Sequence, residues 1–264
     1  LVRRGLRVAL RARGSHQPVR ARDGFSAYLL ACREVADSLA SWRVPAPDVR
    51  FVSLGENCST AWYLSRLGLK RQSFPFDWVF SSPEIVRRCL EDDFAAYLDP
   101  AMVVSHARGP GAGHRVFHER FFNHRSPESP DARAYYLRCV ERLRALRASA
   151  SPVVFVLTLI NEPDKRWGWS QGFTGEVPRP GRQSLSTGRE LLDSLSETWP
   201  ACQLLVIDHC TDSARPGIDL LFRDERLLML GFSAAGASDG VRYLDAEDDL
   251  AFSVALAGLC AEGR

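Results

Sequence analysis

The chain has 264 residues, 45% of them hydrophobic and 25% charged, with a formal net charge of +2. That composition belongs to a soluble globular chain able to bury a large core in one α/β domain or two small ones. No apolar run approaches the ~18 residues that a membrane-spanning helix needs, which excludes a helical membrane protein.

The charge is unevenly placed. Residues 1–22 carry seven arginines and no acid, leaving 27 basic and 32 acidic residues, net −5, for the rest. A nucleic-acid-binding body would be basic, so no nucleic-acid partner is expected. Residues 1–24 read as a basic, poorly ordered arm, and residues 25–264 as a single α/β domain. The basic start Leu1-Val2-Arg3-Arg4 is followed by neither a long apolar segment nor a small-residue cleavage site, so a secretory leader is not expected. The seven cysteines, at 32, 58, 89, 139, 202, 210 and 260, are odd in number and include no Cys-x-x-Cys pair. This is neither a zinc pattern nor a disulfide framework, and it fits a reducing cytoplasm.

In chain order, residues 24–42 read as a helix, with Tyr28, Leu29, Cys32, Val35, Ala36 and Leu39 at helical spacing. Pro45 and Pro47 break it. Residues 49–54 form a first strand halted by Gly55, and residues 59–67 a short helix closed by Gly68. Ser82-Pro83-Glu84 opens another helix, with a serine cap, a proline in the first turn and an acid facing the dipole. Residues 99–130 are irregular, and so long a loop is expected to serve a site or a partner. Residues 131–148 make a helix with the stripe Tyr136, Cys139, Val140, Leu143 and Leu146. Residues 152–159 form an apolar strand buried on both faces, and Thr187-Gly188-Arg189-Glu190 reads as a capping box. Strands follow over 202–208, 226–231 and 241–244, then a helix over 248–260. The alternation predicts a three-layer domain, a mostly parallel sheet with helices on both faces.

In such a sheet the working site lies where strands end and helices begin. There the sequence places Ser53-Leu54-Gly55-Glu56-Asn57-Cys58-Ser59. Cys58 at a helix N-terminus would feel unpaired N–H groups that favour thiolate and could hold an oxyanion, with Asn57 adding a donor. The bland alternative is a small buried hydrophobe. A thiolate nucleophile needs a base. His106, His114, His118 and His124 crowd the irregular stretch, and His124 follows Phe121-Phe122, an aromatic pair able to anchor the segment. His209 ends a buried strand. Asp77, within Phe74-Pro75-Phe76-Asp77-Trp78, reads either as an acid orienting a histidine or as one that caps a turn or pairs with a basic neighbour such as Arg71.

Phe51 to Ala61 with its Ser-Leu-Gly-Glu-Asn-Cys core, Leu64 to Leu69, and Ser73 to Trp78 together resemble a bacterial family of unknown function described as papain-like cysteine peptidases. The likeness covers roughly residues 49–160. It implies a hydrolase with Cys58 as nucleophile, His124 as base and Asp77 as the orienting acid. The family pattern has an acid directly after this histidine, where this chain has Arg125, so His118 and His209 stand as rival bases. Papain itself is not a doubly wound sheet. Gly-x-Asn-Cys after a first strand also resembles an acetyltransferase family of capsule-polysaccharide synthesis, and in shape the esterases whose serine follows the first strand. On that reading Asn161 joins Gly55 and Asn57 around the oxyanion, and the substrate is a polysaccharide or acyl thioester rather than a peptide. A non-catalytic glycan- or protein-binding domain is the remaining alternative.

A metal reading of His114, His118 and Glu119 lacks the His-Glu-x-x-His arrangement. Gly231 to Gly236 has the wrong spacing for a dinucleotide loop, and no phosphate loop is present, so no cofactor and no metal are expected. Trp167 and Trp169 offer either a ligand platform or packing across the sheet edge.

Overall fold

The computed structural model describes residues 21–107, 109–149 and 151–260. The basic arm expected over residues 1–24 lies almost wholly outside the described residues. Helix α1 (Ala21–Trp42) precedes strand β1 (Arg50–Ser53), followed by α2 (Ser59–Arg66), α3 (Pro83–Glu91) and α4 (Ala95–Leu98). A two-stranded hairpin, β2 (Val103–Ser105) and β3 (Ala112–His114), leads to α5 (Pro130–Arg147), β4 (Val153–Ile160) and α6 (Pro163–Ser170). Then come α7 (Leu185–Thr198), β5 (Gln203–Cys210), β6 (Gly217–Arg223), β7 (Leu227–Ser233) and α8 (Ala246–Leu256).

The main sheet has the order β1-β4-β5-β7-β6. β1, β4, β5 and β7 run parallel, and β6 joins the edge antiparallel to β7. Alternate residues along a strand face opposite sides. Phe155 and Leu157 of β4 therefore join Leu204, Val206, Leu227 and Met229 under α3, α5 and α7. Val154 and Val156 join Leu205, Ile207, Leu228 and Leu230 under α1, α2 and α8. This is a three-layer α/β domain. Burial on both faces explains why β4 and β5 read as unbroken apolar runs.

The helix ends follow their expected chemistry. Ser82 Oγ accepts from Ile85 N–H at 3.1 Å and caps α3. Gly68, at φ +70°, ends the α2 segment in the left-handed region that a side chain would resist. The cap of α7 lies three residues before the expected one, with Ser184 N–H donating to Thr187 Oγ1 at 3.3 Å.

The strand expected over 241–244 is absent. Tyr243 makes an isolated bridge to Ser238, and the outer strand is β6 instead. β6 is an edge strand with a register shift between Leu220 and Phe222, so neither a continuous apolar run nor a clean alternation marks it. The irregular stretch also holds the β2–β3 hairpin, and the tryptophan-rich segment after β4 is helix α6. No described helix is long and apolar enough to cross a membrane.

Candidate functional site

Cys58 sits where sheet physics puts it. The chain leaving β1 stays against β4, with Leu54 N–H on Val156 O at 2.8 Å and Glu56 N–H on Thr158 O at 3.3 Å. It then turns into α2, with Cys58 as the helix cap residue. Gly55 is required at this turn, because a Cβ there would lie 2.3 Å from Thr60 Oγ1. Ser81 Oγ reaches both Leu54 O, at 3.0 Å, and Gly55 O, at 2.7 Å, and ties the following loop to the same turn. Glu56 is fully buried and held by Arg166 of α6 in a bidentate pair of 2.8 and 2.7 Å, and it accepts from Ile160 N–H at 2.7 Å. The turn carrying Cys58 is thus bolted to the C-terminal end of β4.

The loop carrying His124 arrives by a different route. Phe121 and Phe122 are fully buried, as their pairing implied. Phe121 O accepts from Phe80 N–H at 2.9 Å, and Phe122 pairs with Ala112 through two 2.9 Å bonds. Tyr136 Oη donates to Arg125 O at 3.1 Å, fixing the chain just beyond the histidine. The outcome is direct contact between Cys58 Sγ and His124 Nε2 at 2.9 Å. The two residues are 66 apart in the chain. Trp78 packs edge-on against the imidazole, ring centroids 5.9 Å apart.

Cys58 is 4% exposed, and this burial pushes its thiol up to about 12, with the negative charge of Asp77 adding to the effect. A helix N-terminus was expected to pull the thiol down, but desolvation of the charged form outweighs so short a helix. The sulfur thus touches the imidazole in a setting that favours the protonated thiol.

No hydrogen bond runs from Asp77 to His124. Asp77 Oδ2 accepts from Lys70 Nζ at 2.7 Å and from Phe74 N–H at 3.0 Å, while Oδ1 is buried without a partner. It caps the turn and pairs with a base, Lys70 rather than Arg71. The Lys70 ammonium also lies 5.3 Å from the Trp78 ring centroid. Contacts run from Asp77 to Lys70, from Lys70 to Trp78 and from Trp78 to the imidazole.

The rival bases are engaged elsewhere. His118 Nδ1 accepts from Arg120 N–H at 3.0 Å, and Nε2 donates to Trp169 O at 2.9 Å. Neither nitrogen is left to take a proton, and burial lowers its pKa. His209 is buried against Tyr243 Oη at 2.9 Å, its pKa lowered by burial to about 4. His114 stacks on Phe117 with ring centroids 4.0 Å apart, so His114 and His118 serve packing. The two tryptophans divide. Trp169 stacks on His118 and Trp167 is 69% exposed.

Asn57 Oδ1 accepts from Ser59 N–H at 3.1 Å, which fixes the amide, and Nδ2 has no hydrogen-bond partner among the described residues beside Cys58. Asn161 does not join it. Its Nδ2 donates to Gln183 O at 3.0 Å and Asp208 Oδ1 at 2.9 Å, and its Oδ1 accepts from Gln183 N–H, so the amide is committed.

Two cavities meet at His124. One, of ≈ 110 Å³, is lined by Asn57, Cys58, Phe80, Asn123 and the turn Asp239–Val241. The other, of ≈ 420 Å³, is lined by Ser73, Trp78, Arg125, Tyr135 and Tyr136. Asn123, Tyr135 and the turn after β7 carry no motif in the sequence. Only the loop lengths and the sheet order bring them to the histidine.

Over 34 residues the chain is 56% identical to uncharacterized protein R408 of Acanthamoeba polyphaga mimivirus, a stretch covering 13% of this chain and 15% of that protein. No solved structure matches the chain. Residues 49–166, which carry Cys58, Asp77 and His124, match a family described as putative papain-like cysteine peptidase.

Proposed function

We propose that the chain is a cysteine-nucleophile hydrolase acting on an acyl compound, with Cys58 as nucleophile and His124 as general base and then general acid. The observation that carries this is the 2.9 Å contact between Cys58 Sγ and His124 Nε2 beside two cavities. As the sulfur attacks the substrate carbonyl carbon, its proton passes to Nε2 and the carbonyl oxygen takes the negative charge. Asn57 Nδ2 is the side-chain donor placed for that oxyanion. Collapse of the adduct breaks the bond to the leaving group, which receives the proton from His124 and leaves a thioester on Cys58. Water, deprotonated by His124, then attacks the thioester carbon and frees the acid and the thiol. Asp77 acts as a positioning residue through Lys70 and Trp78.

A second reading has support from the architecture: a nucleophile after the first strand of a parallel sheet also suits transfer of the acyl group to a hydroxyl. The two share the thioester and differ only in what resolves it.

The test is acylation by 4-nitrophenyl acetate, followed by intact-mass and peptide mass spectrometry. We expect an acetyl group on Cys58, its loss in Cys58→Ser, and acylation slower by about 10²-fold or more in His124→Ala. Added glycerol or a glycan acceptor separates transfer from hydrolysis. Absence of His124-dependent acylation at Cys58 would remove both readings and leave a binding domain with an inert thiol.

A further inference from the structure

The two cavities beside His124 differ in size, lining and charge, and the difference bears on the substrate. Cys58 and Asn57 line only the smaller one, of ≈ 110 Å³. In the mechanism above, on which this inference rests, the carbonyl carbon must meet Cys58 and its oxygen must meet Asn57. The smaller cavity therefore holds the acyl portion, and its volume admits a short chain of a few heavy atoms. The leaving group must lie within reach of the histidine that protonates it. The larger cavity, of ≈ 420 Å³, contains His124 and not Cys58, and its volume suits a ring-sized group.

The larger cavity has aromatic walls: Trp78, Tyr135 and Tyr136, with the imidazole itself on the boundary. Such walls select planar groups by offset or edge-to-face packing. On its rim Arg125 lies over the Tyr135 ring at 5.4 Å, which holds the guanidinium at the mouth of the cavity. Arg125 makes no ion pair among the described residues, and no acidic side chain lines the cavity. A second guanidinium stands nearby, with Arg142 Nη1 donating to Ser73 O at 3.4 Å. An arginine fork held by stacking and left without an acid is suited to bidentate pairing with a carboxylate.

We propose that this cavity is the leaving-group site, and that the substrate is a short-chain acyl derivative of a planar, carboxylate-bearing group. The reaction conserves atoms simply. The Cys58 Sγ–C(acyl) bond forms as the acyl–oxygen or acyl–nitrogen bond breaks, and the thiol proton, carried by His124, ends on the departing atom.

The probes are three aryl acetates of one shape: 4-acetoxybenzoate, neutral 4-acetoxybenzamide and cationic 4-acetoxybenzylamine. The rate of acetylation at Cys58 is read by mass spectrometry, in wild type and in Arg125→Glu and Arg125→Ala. Comparing rate ratios between proteins cancels the intrinsic reactivity of each ester. We expect the ratio of benzoate to benzylamine rates to be about tenfold or more higher in wild type than in Arg125→Ala. It should fall further in Arg125→Glu. Equal ratios in all three proteins, with acetylation still dependent on His124, would overturn the anionic leaving-group assignment and leave the cysteine–histidine reading standing. If none of the esters acetylates Cys58, while iodoacetamide also labels it independently of His124, the reading on which this assignment rests falls with it.

Discussion

Asp77 carries the most distinctive conflict between local chemistry and function. It is fully buried, and burial raises its carboxyl pKa while Lys70 and the Phe74 N–H oppose that shift. The ammonium of Lys70 favours the charged form of this carboxyl, and removing either partner leaves the other without its compensation. Two roles then predict different results for Asp77→Asn. If Asp77 oriented His124 directly, acylation at Cys58 would drop by about 10⁴-fold, as loss of a directly bonded orienting acid does in serine proteases. With its bonds going to Lys70 and Phe74 instead, we expect a fall of less than about tenfold, accompanied by a stability loss of about 3–5 kcal/mol in urea unfolding as Lys70 loses its partner. Measuring both quantities on one variant separates the roles. Spacing made Cys58 legible because strand, glycine and helix fix where a residue at the turn must sit. It could not tell an orienting acid from an ion-paired one, because the bond that decides depends on Lys70, a residue without a motif.

At the scale of elements, the site depends on how β1, β4 and α6 are joined. The strands β4 and β5 were legible as apolar runs, and the capped helices by their serine and proline signals. The edge strand β6 and helix α6 were not, since β6 is half exposed and α6 is a short segment rich in tryptophan and charge. Yet α6 supplies Arg166, the partner that holds Glu56 one residue from Asn57 and two from Cys58. Burial lifts the Glu56 carboxyl to about 7, opposed by Arg166 and Ile160 N–H. Arg166→Met keeps the apolar stem and deletes the charge, stranding a buried acid at neutral pH. We expect unfolding free energy to fall by about 3–5 kcal/mol at pH 7.5. The sign of the pH dependence follows from the raised pKa: a carboxyl that binds its proton more tightly when folded loses stability as pH rises from its unfolded value toward its folded one. The deficit of Arg166→Met relative to wild type should therefore shrink when the urea titration is repeated at pH 5. A deficit that is the same at both pH values would mean that Glu56 is not the group left exposed to the loss.

Across the whole molecule, the buried imidazoles of His114, His118 and His209 couple the fold to pH. His114 accepts at Nδ1 from Val116 and Phe117 N–H, at 3.2 and 3.3 Å, and donates from Nε2 to Ala96 O at 3.0 Å. That pattern fits only the neutral ring, because a proton on Nδ1 would face two donors. Burial lowers His114 and His209 each to about 4 and lowers His118 as well. The unfolded chain binds these protons near the ordinary histidine value of ~6.5, so each ring stabilises the fold above that pH and loses its contribution as pH falls toward 4. The buried carboxyls Glu56, Asp77 and Asp208 work the other way, since their raised pKa values favour the folded state on acidification. The opposed groups make the net slope of wild type a poor test, and a difference between variants a good one. His209→Gln keeps a polar group that can bond Tyr243 Oη and removes one titrating ring. Between pH 6.5 and 4.5 we expect wild type to lose stability more steeply than His209→Gln by up to one proton, about 1.4 kcal/mol per pH unit, in urea titrations at matched pH. Parallel slopes would show that His209 is protonated in the folded state, which its full burial beside Tyr243 opposes. His124 is the ring in contact with the sulfur, so His124→Gln should remove acylation at Cys58, read by mass spectrometry, where His209→Gln leaves it in place.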